Sequence, residues 1–314
     1  MINNRLFFPI TLAVVMAFFN ASTFSASASG KKELLPAPKW SGFYAGLNAG
    51  GIWSASSTSS ILSSFVPNSQ SSLYPNGATY TGIQSASGAT GNISASNGGF
   101  IGGGQIGYNW QLTDRLIGGL ETDFQGITSE HNDGGSSNTV PLIGTYDGGA
   151  YSFLPGEFYI TTLNGGKRTD YLGTLRGRLG GLVTPTLLFM GTGGLAYGGV
   201  SSRATITQTN NERDLVDPAQ APFTIDPKTF TSGSYSNTRL GWTVGADVEW
   251  MFLSHWSAKI GYLYYDLGQV NYTVSPTITK IPVNDPPVAV VASQVITRFN
   301  GNIMRVGISY HGFS

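Results

Sequence analysis

Nine charged residues sit at alternate positions in stretches that are otherwise apolar. They are Glu121, Asp123, Asp247 and Glu249, with Arg176, Arg178, Arg239, Lys259 and Arg305. Residues spaced by two share one face of an extended strand, so these long side chains of opposite sign are placed to pair with one another. Other chemistry is poorly supplied. The chain has no cysteine, which removes disulfides, zinc ribbons and thiol nucleophiles. The three histidines, His131, His255 and His311, are far apart in sequence and share no strand face, so no metal-ligand set forms. Gly102, Gly104 and Gly107 satisfy a literal G-x-G-x-x-G. The dinucleotide fingerprint needs a helix after it, whereas alternation here continues through Tyr108 and Trp110. Glu130, His131 and Asp133 are the raw material of a hydrolase rim, but adjacent in a polar loop they read as a solvated turn. No catalytic, cofactor-binding or metal site is expected.

The elements that carry the charges alternate with period two, the mark of strands with two different faces. Residues 41–53 put Phe43, Ala45, Leu47, Ala49 and Trp53 opposite Tyr44 and Asn48. Residues 100–112 put Phe100, Ile106, Tyr108 and Trp110 opposite Gln105 and Asn109, and residues 116–128 put Leu116, Leu120 and Phe124 opposite Glu121, Asp123 and Gln125. Tyr171, Leu175 and Leu179 oppose Arg176 and Arg178 in 169–182, while 186–200 assigns Leu187, Phe189, Leu195 and Tyr197 to the apolar face. Residues 237–252, 256–272 and 297–310 repeat the pattern, with Arg239, Asp247, Glu249, Lys259, Arg305 and His311 on the polar side. The reading is eight strands of about 12–16 residues, long enough to cross a bilayer at a tilt.

Composition agrees with a membrane barrel. Charged residues are 11% of the chain, against roughly 25% in soluble domains. Glycine numbers 43 and aromatics reach 12%. Lys+Arg and Asp+Glu both number 17, so there is no basic excess for nucleic acid. Residues 1–28 read as a secretory signal peptide: Arg5, an apolar run over 6–19, then Ala26-Ser27-Ala28. Residues 29–39 follow as a periplasmic segment and 40–314 as the barrel domain. Connections alternate between tight turns (113–115, 184–185, 254–255) and long Ser/Gly/Asn/Thr-rich stretches, the pattern of short periplasmic turns and long extracellular loops. Trp40, Trp53, Trp110, Trp242, Trp250 and Trp256 all fall near strand ends, where interfacial indoles are expected. Few charges would survive on the lipid face, where a midplane Arg costs about 2–4 kcal/mol. Inside eight strands there is just room for side chains to fill the lumen, so the nine charges are expected to plug it. A charge-lined channel is the alternative, disfavoured by the mixed signs.

The opening Trp40-Ser41-Gly42-Phe43-Tyr44-Ala45-Gly46-Leu47-Asn48-Ala49-Gly50-Gly51 resembles the first strand of the outer-membrane immunogenic-protein family, porin-like small barrels of alphaproteobacteria. Residues 98–112 (GGFIGGGQIGYNWQL), 171–200 (YLGTLRGRLGGLVTPTLLFMGTGGLAYGGV) and 241–266 extend the resemblance over all the strands and none of the loops. It implies an all-β, eight-stranded, OmpA-like transmembrane barrel in the outer membrane of a Gram-negative bacterium. It brings no catalytic residues. Some members are surface antigens and some bind haemin through exposed regions, which implies no residue here. A structural and surface-exposed role is expected; a small porin, or a loop-borne receptor or adhesin, are the alternatives. The expected partners are outer-membrane lipid and lipopolysaccharide, the barrel-assembly machinery, and an extracellular ligand or host factor. One departure is the C-terminus, where Phe313 is out of phase with Tyr310 and followed by Ser314. A bulge at Gly312 would restore the phase; otherwise recognition by the assembly machinery is weakened.

Overall fold

A computed structural model describes residues 40–67, 75–95, 98–129, 133–141, 145–146, 151–152, 158–210, 229–279 and 289–312. The expected signal peptide, the 29–39 segment, Glu130, His131 and Phe313 lie outside the described residues. The strands are β1 (Gly42–Ser54), β2 (Thr58–Val66), β3 (Gly91–Ser94), β4 (Gly98–Gln111), β5 (Leu116–Ser129), β6 (Gly134–Pro141), β7 (Thr145–Tyr146), β8 (Tyr151–Ser152), β9 (Phe158–Thr184), β10 (Leu187–Asn210), β11 (Thr229–Leu253), β12 (Trp256–Thr279) and β13 (Ala289–His311). A helix, α1 (Pro75–Gly88), lies between β2 and β3.

Eleven strands join one antiparallel sheet, and its pairings return to their start. The circuit runs β1, β4, β5, β9, β10, β11, β12, β13 and back to β1, where Tyr44 faces His311 and Ser54 faces Gly301. In the lower part of the circuit closure leaves no free edge, the condition for satisfying backbone groups away from water. β2 and β6 attach outside it, on parts of β13 and β9 that overrun the circuit, and β3 pairs with β2. The expected strand length of about 12–16 residues is corrected for part of the circuit. β1, β4 and β5 have that length, but β9 to β13 run to between 23 and 27 residues.

Along β9 and β13 the two faces exchange character: a bulge at Asp170 reverses the facing on β9, and the apolar positions change from even to odd on β13. Around Leu175 and Leu179 apolar side chains point outward and Arg176 and Arg178 inward. Further up the same strand the inward residues include Leu163, fully buried, while Asn164 faces out. β13 does likewise: Met304, Val306 and Ile308 are exposed, whereas Val291, Val295 and Phe299 are buried. The lower barrel has an apolar exterior and polar interior; the upper layer has an ordinary apolar core. α1 packs into that upper layer against β2, β13 and β6, burying Ala86 and, just past its end, Ala89. Gln208 holds it from β10, donating to the Ser85 carbonyl at 3.0 Å and to Thr161 Oγ1 at 2.8 Å. β3 lies against β6, with Gly134 so near the Ser94 carbonyl that any Cβ would overlap it.

One seam in the upper wall lacks a ladder. β11 and β12 pair from Leu253–Trp256 up to Trp242–Asp266 and no further, although both continue. Above that point they meet through side chains, with Tyr235 stacked on Tyr272 at 6.2 Å. The departure is marked by a bulge at residues 266–269, where Gly268 has φ +83° and its N–H donates to Asp266 Oδ1 at 2.9 Å.

Candidate functional site

The charged residues meet inside the lower barrel. Strand alternation points Glu121 and Asp123 (β5), Arg176 and Arg178 (β9), Asp247 and Glu249 (β11), Lys259 (β12) and Arg305 (β13) inward, all of them buried. Glu121 is the hub. It accepts from Arg176 Nη2, from Lys259 Nζ at 2.6 Å, from the Tyr44 hydroxyl at 2.6 Å, and pairs with Arg178 at 3.2 Å and Arg305 at 3.5 Å. Asp123 takes Arg176 at 2.7 Å and Arg305 at 2.8 Å. Arg178 reaches Asp247 at 2.9 Å and also Glu249, which Lys259 approaches at 3.5 Å. β5 and β12 are separated by three strands in either direction around the circuit, so the Glu121–Lys259 pair crosses the lumen. Four acids face four bases, and charge-assisted bonds of this kind are strong where water is excluded.

Glycines make the room. A Cβ on Gly50 would come within 2.7 Å of the Arg305 Cα, and one on Gly194 within 2.8 Å of the Arg176 Cα. Gly102, Gly104 and Gly107 lie within β4, which runs unbroken to Gln111 with no helix after it.

Two expected placements are corrected. Arg239 has the inward phase but stands eight residues up β11 from Asp247, about 26 Å along a strand; it donates instead to the Gln269 carbonyl at 3.2 Å. Trp40 is not an outward interfacial indole. It is 1% exposed, its Nε1 donates to the Pro185 carbonyl at 3.0 Å, and it packs with Ile117, Leu188, Met190 and Met251 across the tight-turn end. The other five tryptophans are between 42% and 50% exposed on the outer face.

Three groups lay outside the expected network. Tyr44 is stacked on His311 at 5.4 Å, and His311 Nε2 lies 2.9 Å from Ser257 Oγ beneath Trp40. Their inward phase was legible; their place beside the charges was not. Lys167, in the upper layer, donates to the Arg298 carbonyl at 2.6 Å and lies 5.8 Å from the Phe299 ring centre. Burial pushes its ammonium down to about 8. Asp133, beside the undescribed His131, pairs with Arg203 on the exterior. Among the described residues no cluster of His, Asp or Glu has a metal-binding arrangement.

The closed sheet, apolar outside and charged within, is matched by one family model, the outer membrane protein beta-barrel domain, over residues 11–280. The chain belongs to this family. It is 31% identical over 307 residues to the 31 kDa outer-membrane immunogenic proteins of Brucella melitensis biotype 1 and Brucella suis biovar 1, covering 96% of this chain and 98% of each relative. Among solved structures, the outer membrane protein OprG of Pseudomonas aeruginosa aligns with a TM-score of 0.36 and 10% identity, over 87% of this chain and 97% of that one. The attachment invasion locus protein Ail of Yersinia pestis aligns at 0.25 and 8%, over 84% and 99%. The protein is thus an outer-membrane β-barrel of a Gram-negative bacterium, and its exposed apolar belt faces lipid. Trp242 and Trp250, both half exposed, bound that belt on β11. The eight residue steps from one to the other span about 26 Å of strand, which suits an apolar band about 25 Å tall.

Proposed function

We propose that the eight strands of the circuit form the transmembrane wall, and that the lumen they enclose is plugged. On this reading the protein strengthens the envelope and displays its upper layer at the cell surface, with no catalytic role. The observation that carries it is the Glu121–Lys259 bond joining opposite sides of the barrel within a balanced network. Layers on either side support it. Below lies the apolar lid of Trp40, Leu188 and Met251; above lies the apolar cluster that includes Ile52, Ile101, Leu263 and Ile303, together with Ala86 of α1 and Ala89 just after it. A narrow porin would need a continuous polar path, and apolar layers interrupt it twice.

Single-channel conductance of the refolded mature barrel in planar bilayers tests the plug. The expected result is a silent wild type, and a silent Arg176→Ala/Arg178→Ala variant as well, because the apolar layers above and below the network remain. Steady conductance in the wild type would sink the plug and make the protein a small porin.

A further inference from the structure

The upper wall is held unevenly. β11 pairs along its length with β10, and β12 with β13, yet β11 and β12 join each other only as far as Trp242 and Asp266. Both continue above that rung without a ladder, to Thr229 on one strand and Thr279 on the other. Elsewhere in the upper layer spare strand edges are tied down. Asn138 of β6 donates to the carbonyls of Gly88 and Thr90 at 3.1 and 3.0 Å, and Ser63 Oγ of β2 donates to that of Ala89 at 2.9 Å.

Three side-chain ties cross the seam. Arg239 donates to the Gln269 carbonyl at 3.2 Å, Tyr235 stacks on Tyr272, and Thr231 Oγ1 donates to the Ser275 carbonyl. The backbones come close at Gly233, where a Cβ would lie 2.9 Å from the Val274 Cα. At the foot is the bulge with Gly268 at φ +83°, a residue type that changes conformation at little steric cost. On the outer side a groove of about 730 Å³ runs over the seam, lined by Arg203, Thr205, Ser232, Ser234, Thr273 and Ser275. Behind it Val270, Tyr272 and Val274 are buried. Trp242, an interfacial indole at the last rung, puts the seam beyond the lipid-facing belt. A boundary with so few hydrogen bonds opens at lower free energy than the laddered wall on either side.

We propose that the upper wall opens along this seam: β12, still bonded to β13, swings from β11 about Gly268 and uncovers an apolar pocket at Val270 and Tyr272 to the cell exterior. The lower barrel stays closed, so the gate is independent of whether the lumen conducts.

The chain has no cysteine, so single thiols report the opening. Val270 and Val200 are 4% and 1% exposed, belong to one apolar cluster, and sit on β12 and β10. Val200 stands in a strand paired on both sides. In the refolded full-length mature barrel, Val270→Cys should react with a water-soluble methanethiosulfonate at least about tenfold faster than Val200→Cys. Thr231→Val cuts one hydrogen bond across the seam; it should raise the Val270→Cys rate about fivefold and leave Val200→Cys unchanged. Heat-modifiable gel migration checks that each variant is folded, and Arg239→Leu, at the other hydrogen-bonded tie, replaces Thr231→Val if that variant is not. Equal rates for the two thiols, or a folded tie-cutting variant that speeds both alike or neither, would overturn the gate.

Discussion

Replacing Glu121 by Gln should be among the most damaging single changes in the barrel. The side chain keeps its size, so cavity effects are small and the change is electrostatic. Five groups lose a carboxylate at once: Arg176, Arg178, Lys259, Arg305 and the Tyr44 hydroxyl. Three acids then face four bases, leaving one buried positive charge without compensation. Lys259 suffers most, because its remaining partner, Glu249, is at 3.5 Å. Breaking a buried ionic network by removing one member costs about 3–5 kcal/mol. The assay is urea unfolding in lipid vesicles, followed by tryptophan emission and by folded and unfolded gel bands. A second variant, Glu121→Gln/Lys259→Met, restores the balance at three against three and should recover a large part of the loss. The non-additivity of the two changes measures the coupling. The reasoning fails if Glu121→Gln costs less than about 1 kcal/mol, the value of a solvated surface pair, or if the double variant is no better than the single one.

Two further outcomes concern the layers above and below. Burial lowers Lys167 to about 8 from an ordinary 10.5, so between those values the unfolded chain holds a proton that the folded chain has released. The penalty of burying the ammonium is fully present below pH 8, and stability rises with pH through the window. By pH 9.5 the gain over pH 7.5 should be about 2 kcal/mol; Lys167→Met should be flat across that range in parallel urea titrations. At the other end, Trp40→Ala should cost about 3–5 kcal/mol, as other large-to-small changes at buried sites do. In chains carrying a single tryptophan, brominated lipid should quench Trp250 and spare Trp40; quenching of both would place Trp40 in lipid after all.

The lower barrel was legible because lipid and lumen impose opposite demands on neighbouring residues. Leu175 and Leu179 must meet hydrocarbon while Arg176 and Arg178 cannot, so the alternation is written twice, once in each face. The upper layer was obscured by the same rule. Where the strands leave lipid the exterior becomes water, the interior an apolar core, and the phase inverts. At Val295 and Val291 an alternation that fits a strand contradicts the face assignment made below it, and at Leu163 the alternation keeps the phase of Leu175 while an unsignalled bulge at Asp170 turns it inward; the strands were ended early in consequence. α1 left no trace for another reason: among its described side chains Ala86 is buried while Ile83 is exposed, and Gly82 presses so closely on Phe65 that a side chain would not fit.

Arg239 shows what alternation cannot supply. Period two assigns a face, and register alone assigns a height; Arg239 has the right face at the wrong height. Yet its exclusion was implicit in the charges. Four acids and five bases placed together in a dry lumen leave one unmatched positive charge, the imbalance that Glu121→Gln would create deliberately. An unpaired buried charge is too costly to be an ordinary feature of a folded interior. One base therefore had to find its partner elsewhere. Arg239 stands eight residues along β11 from Asp247, and the barrel places it at the seam, against the Gln269 backbone carbonyl.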